Sequence, residues 1–171
     1  NQGVNTTTEK VKYTTSGVPA IQAGNIGNMF VDYQTEKYID TNKFNDLSGL
    51  VKPQYLDVLY TNIGANFGNA AVVKRDDFDF VITWNVLKIR PTNLLNSDFL
   101  ALVLNTEKIR SEAWSSVSTS TVPFVNGKKV DNFDVPFPSI EEQTEIVRRV
   151  EQLFTFAGQI EQRVNDAQSR V

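Results

Sequence analysis

The side chains that could do chemistry in this chain are carboxylates, amides, hydroxyls and amines, because its 171 residues include neither His nor Cys. A Ser-His-Asp triad, an imidazole zinc site, a histidine base, a thiolate and a disulfide are all excluded. Gly64-Ala65-Asn66-Phe67-Gly68 has the glycines of a phosphate loop. It lacks the Gly-Lys-Ser/Thr that would follow and opens no helix, so a plain hairpin or bulge loop is the better reading. Asp76-Asp77-Phe78-Asp79 offers oxygens to a hard cation, but has neither a glycine at the sharp turn nor a downstream Glu at EF-hand spacing, and no metal is expected. Glu141 and Glu142 form a carboxylate pair that a helix N-terminus explains without catalysis. No motif for a methyl donor or a nucleotide is present, so no cofactor is expected, and any enzymatic activity would have to come from another chain.

Seventeen Lys and Arg against 20 Asp and Glu give a net charge of −3, which is no basic footprint for a phosphate partner. The charge is unevenly divided, with +1 on residues 1–130 and −4 on residues 131–171. A polar ligand could still be read by the first part, which is rich in Asn, Thr and Ser. Neither a long apolar run nor a leader pattern is visible, so a soluble cytoplasmic protein with no membrane contact is expected.

The elements that must position these groups are of two kinds. Ser139 followed by Glu142, directly after Pro138, makes a capping box, so a helix should start there. Beyond it Ile146, Val150, Leu153, Ala157, Ile160, Val164, Ala167 and Val171 recur at alternating steps of four and three, a heptad seam. The seam is flanked more widely by apolar residues at Val147 and Phe154 than at Glu161 and Gln168. It predicts a helix packed on its own domain early and leaving it as a coiled-coil arm; Ala at two seam positions and Gly158 keep an ordinary amphipathic core helix open. Upstream, short extended runs are expected at Val18–Ile21, Tyr38–Ile39, Val58–Thr61, Ala70–Lys74, Phe80–Arg90 and Asp134–Val135, with Trp84 in the core of its strand. Helices are expected at Asp98–Asn105, capped by Asn96 or Ser97, and at Glu107–Trp114. The fold class is α+β: a compact β-rich head over 1–138 and a helical arm over 139–171.

The string VDNFDVPFPSIEEQTEIVRRVEQL resembles the signature of specificity subunits of type I restriction-modification systems. Its elements are Val135-Pro136-Phe137-Pro138, Glu142-Gln143 and Ile146-Val147. SGVPAIQAGNI (Ser16 to Ile26), YLDVLYTNIGANFGNAAVV (Tyr55 to Val73) and SDFLALVLNTEKIR (Ser97 to Arg110) precede it in family order. The resemblance implies a target recognition domain that reads one half of a split DNA sequence, followed by a conserved-region helix that spaces two such domains. It implies double-stranded DNA, methyltransferase subunits and, through them, restriction subunits as partners. A second recognition domain, or a second copy through the helix, is implied as well. A complete subunit of the family has two recognition domains and about twice this length, so a fragment or half-subunit is expected. A β-rich protein-binding adaptor dimerised by the coiled coil is the alternative.

If the chain reads DNA, the wanted residues are Lys, Arg, Asn, Gln, Ser and Thr on loops. Three groups qualify. Thr6, Thr7 and Thr8 precede Lys10, Lys12 and Tyr13. Gln22, Asn25 and Asn28 are joined by Asn62, Asn66 and Asn69, amides suited to adenine. Ser116, Ser118, Thr119 and Thr121 have Lys128 and Lys129 nearby as phosphate anchors. Phe67, between two glycines, is open to two readings: a core side chain, or a contact to a thymine methyl or a base step.

Overall fold

The computed structural model describes residues 1–64, 66–115 and 122–169. Two small sheets form the head. The first has the order β1 (Tyr13–Thr14), β3 (Tyr38–Ile39), β2 (Val18–Ile21), β6 (Val81–Ile82), in which only the β2–β6 pair is parallel. The second places β4 (Val58–Thr61) between β5 (Ala70–Val72) and β7 (Val86–Ile89), all antiparallel.

Strand β4 is central and buried on both faces. Side-chain alternation sends Val58 and Tyr60 to a core shared with helices α2 (Ser97–Leu104) and α3 (Glu107–Ser115), and Leu59 to a core between the sheets with Ile21, Ala71, Ile82 and Val86. Helix α1 (Thr41–Asp46) covers a third cluster around Val18, Ile39 and Val81. Sequence periodicity misses this short helix; its signal is local, since Asp40 Oδ1 accepts the N–H groups of Asn42 and Lys43 at 2.9 and 3.1 Å. The expected helices at 98–105 and 107–114 are present as α2 and α3, with Asn96 as the α2 cap.

Two expectations need correction. The run Phe80–Arg90 is two strands in different sheets, broken at Thr83-Trp84-Asn85, where Val86 N–H donates to Thr83 O at 2.9 Å. Trp84 therefore sits on a turn and is 45% exposed instead of lying in the core. Asp134–Val135 is not a strand; the chain there leaves the short helix α4 (Gly127–Val130) through an irregular segment.

Helix α5 (Ile140–Gln168) is 29 residues, about 43 Å at 1.5 Å per residue. Ser139 Oγ accepts Glu142 N–H at 3.3 Å, as the sequence spacing requires. The first turns pack on α2: Val147 is buried, and Ile146 and Val150 are half-buried. The anchor is Gln143, fully buried, whose amide accepts Asn96 N–H at 2.8 Å and donates to Leu94 O at 3.1 Å and Pro138 O at 2.9 Å. From Leu153 onward the seam faces solvent: Leu153, Ile160 and Val164 are exposed together with Ala157 and Ala167. Val171 lies outside the described residues.

Candidate nucleic-acid interface

The two ends of β4 carry different things. At its N-terminal end Asp57, 1% exposed, takes Arg90 in two bonds of 2.7 and 2.8 Å, and Ser97 Oγ donates to Leu56 O at 2.7 Å. Lys74 pairs with Asp98 at 2.7 Å beside them. The start of α2 and the base of α5 are thus held at this end, where a hollow of about 380 Å³ is lined by Asp57, Arg90 and Ile140. The Arg90 guanidinium, bonded to Asp57, is held above its ordinary range.

The other end gathers loops. There β2, β4 and β6 finish and β5 and β7 begin, so the segments around 22–36, 62–69 and 83–85 lie together. Their contacts tie them: Thr83 N–H donates to Ile21 O at 3.0 Å, and Asn62 N–H to Asn85 O at 3.2 Å. Val125 N–H donates to Asn62 O at 3.0 Å, which brings 122–126 to the same place, and Trp84 N–H donates to Val4 O at 2.9 Å, which brings the start of the 5–10 turn. The start of the first group, the loops of the second and the 122–126 segment that leads to Lys128 therefore meet at one end of the sheets, opposite the base of the helix.

Within the first group Thr7 and Thr8 are exposed, and Asn5 Oδ1 accepts their N–H groups at 3.0 and 3.2 Å; Thr6 is half-buried. Lys10 and Lys12 are exposed and belong to none of the ion pairs of the described residues. Tyr13 lies on β1 with the ammonium of Lys37 5.2 Å from its ring centre. Lys37 also donates to Gln22 Oε1 at 2.9 Å, linking the first group to the second. Sequence reasoning missed Lys37, which stands in no motif.

The second group divides. Asn62 is buried, and its amide nitrogen donates to Val125 O at 3.2 Å, so it does not reach the surface. Asn25 uses both ends of its amide, accepting Gln22 N–H at 3.0 Å and donating to Gln34 O at 2.7 Å. Asn66, at φ +60°, donates toward Ala23, Gly24 and Ile26 carbonyls at 3.4, 3.3 and 3.1 Å. Asn69 donates to Ile26 O at 3.1 Å and accepts Arg110 Nη2 at 2.7 Å. These amides fasten the β4–β5 loop to the 23–26 turn, and the loop is a hairpin connection with Gly64 and Gly68 at positive φ. Gln22, half-buried, lines an open hollow of about 580 Å³ with Asn25, Asp32, Gln34, Glu36 and Lys37, and Asn28 is exposed on the same segment.

In the third group Ser116, Ser118, Thr119 and Thr121 lie outside the described residues. Lys128 is exposed on α4, whereas Lys129 donates to Glu112 Oε1 at 2.9 Å. Phe67 resolves to the core: it is buried, edge-on to Trp114 at 5.1 Å. Burial also pushes the Tyr60 phenol beneath this end up to about 12. A surface of amides, hydroxyls, a few ammonium groups and exposed aromatic rings can hydrogen-bond base edges and phosphates without strong net charge. Among the described residues no cluster of three potential metal ligands is present, and no helix is long and apolar enough to cross a membrane.

Comparison with known proteins bears on this geometry. The family model of the type I restriction modification DNA specificity domain matches residues 4–167. The chain is 36% identical over 141 residues to the type I restriction enzyme EcoBI specificity subunit of Escherichia coli, covering 78% of this chain and 29% of that protein. It is 40% identical over 81 residues to the StySPI specificity subunit of Salmonella potsdam, covering 47% and 18%. In three dimensions it resembles the HsdS subunit from Thermoanaerobacter tengcongensis, with a TM-score of 0.71 at 18% identity, over 98% of this chain and 42% of that one. A chain from a structure of type I R-M complex assembly and conformational transition aligns with a TM-score of 0.66 at 19% identity, over 94% and 36%. The solved structures speak for the fold, and the chain spans less than half the length of each of these proteins.

Proposed function

The chain belongs to the type I restriction modification DNA specificity domain family, and from that premise we propose that it is a non-catalytic reader of one half of a bipartite double-stranded DNA sequence. The observation that carries the reading is the gathering of the 5–10, 22–36, 62–69 and 122–126 segments at one end of the sheets, with the long helix rooted at the other. Such an arrangement lets one end face a groove while the other end sets the distance to a second reader.

Residues 1–138 are assigned to target recognition and 139–171 to the spacer. Lys10, Lys12, Lys37 and Lys128 are the phosphate anchors; Thr7, Thr8, Gln22 and Asn28 are the base-facing candidates, and Asn25, Asn66 and Asn69 hold the loops that present them. The exposed seam from Leu153 to Val164 pairs with a second recognition domain's helix or a second copy, as a coiled coil. A helix of about 43 Å slightly exceeds one DNA turn of about 34–36 Å, which suits half-sites one turn apart. Methyltransferase subunits, and through them restriction subunits, dock on the assembly and supply the catalysis, in the cytoplasm and without a cofactor in this chain.

Selection from a pool of random duplex DNA tests the reading. The expected result is enrichment of a short motif, and an affinity that falls with salt at a log–log slope of about −4 for four phosphate contacts. A folded chain that retains no duplex at low salt would overturn it and favour the protein-binding adaptor.

A further inference from the structure

Trp84 carries a contradiction between its backbone and its side chain. The backbone is pinned from both sides: its N–H donates to Val4 O at 2.9 Å, and Gln2 Nε2 donates to its carbonyl. The neighbours are pinned as well, Thr83 N–H to Ile21 O at 3.0 Å and Asn85 O from Asn62 N–H at 3.2 Å. Thr83 Oγ1 bonds to the Asn85 side chain across the turn. Yet the indole on this fixed turn is 45% exposed and meets no other ring among the described residues, whereas the second tryptophan, Trp114, packs edge-on to Phe67. No hydrogen bond from its indole N–H is made among the described residues. A large apolar ring nearly half in water on a turn whose backbone is fixed, with no partner for its indole N–H among the described residues, fits a surface whose partner supplies a flat apolar face.

Its position narrows what that partner is. The turn lies between Val4, from which the 5–10 segment departs, and Asn62 and Asn85 at the foot of the 62–69 loop. It therefore stands between the first and second groups of candidate DNA contacts. We propose that Trp84 is a specificity-determining residue that stacks on, or wedges against, a base of the half-site. This inference rests on the DNA-reading function proposed above. Base faces are the flat apolar surfaces of DNA, and a duplex offers them where an inserted side chain partly unstacks a step, at a cost of about a few kcal/mol that the contact with a large aromatic ring offsets.

The test compares Trp84→Ala, Trp84→Phe and the unsubstituted full chain in parallel selections from one random duplex pool, with affinities then measured on the duplex the unsubstituted chain enriches. The Ala variant should bind on the order of tenfold more weakly. Its enriched motif should lose information at one or two adjacent positions, and Phe should restore most of both. A Trp114→Phe chain, in which Trp84 is the only indole, gives a reading that needs no change at Trp84. Saturation with the selected duplex should shield Trp84 from acrylamide quenching. Equal motifs for Ala and the unsubstituted chain, a uniform loss without change of motif, or unchanged quenching on saturation would each overturn the role of Trp84 and leave the DNA-reading function standing. Failure of the unsubstituted chain to retain any duplex would remove both.

Discussion

Replacing Gln143 tests how much one buried amide contributes to holding the first turns of α5 on the head. Its side chain is 0% exposed and joins three backbone groups, Asn96 N–H, Leu94 O and Pro138 O, at 2.8 to 3.1 Å. A net hydrogen bond contributes about 1 kcal/mol, and a buried group stripped of its partner costs about 1–3 kcal/mol. Leu94 is exposed and Pro138 half-buried, so water recovers part of the loss at the two carbonyls, and Gln143→Met should cost about 3 kcal/mol. Gln143→Ala removes volume as well and should cost about 4 kcal/mol. For a domain of this size these figures correspond to a fall in Tm of about 6–16 °C. Urea and thermal denaturation followed by circular dichroism measure them, with an unchanged m-value marking a loss of stability alone. A Met variant within about 0.5 kcal/mol of the original would refute the reasoning, because shape would then suffice and the three bonds would contribute nothing net.

Two further predictions follow from α5. Replacing Ile160 and Val164 together with Asp should abolish any dimer in sedimentation while leaving the melting of the head unchanged, and a surviving dimer would show that the seam is not the joint. The Glu145 carboxyl is held at about 2, below its ordinary 4.5, by bonds from Arg148 first and Arg149 next, at 2.6 and 2.7 Å. Because the folded value is depressed, its contribution is fully present above pH 4.5 and is lost as pH falls toward 2. The difference in helical ellipticity between the unsubstituted chain and Glu145→Gln should therefore shrink over that window; a constant difference would sink the assignment.

What the sequence by itself determined is local or periodic. Ser139 caps α5 and Asn96 caps α2 because each needs only a side-chain oxygen two or three residues from an orphan N–H. The strands Val18–Ile21 and Val58–Thr61 are legible from their apolar runs, and the α+β class follows from their order with the helices. The family, too, was legible, because its landmarks are short strings in fixed order, and the match over residues 4–167 bears it out.

Tertiary structure alone decided which of the candidate residues face outward. Asn62 and Asn28 look alike in sequence, yet one is spent inside on a carbonyl 63 residues away and the other is exposed. The run 80–90 reads as one strand until β6 pairs with β2 and β7 with β4, and that split turns Trp84 out of the core. Lys37 joins Tyr13 to Gln22 only because β3 pairs with both β1 and β2. Caps and periods are set by neighbours within a turn of chain, whereas the burial of a polar or aromatic side chain is set by segments tens of residues distant, and short-range pattern carries no record of where those segments come to lie.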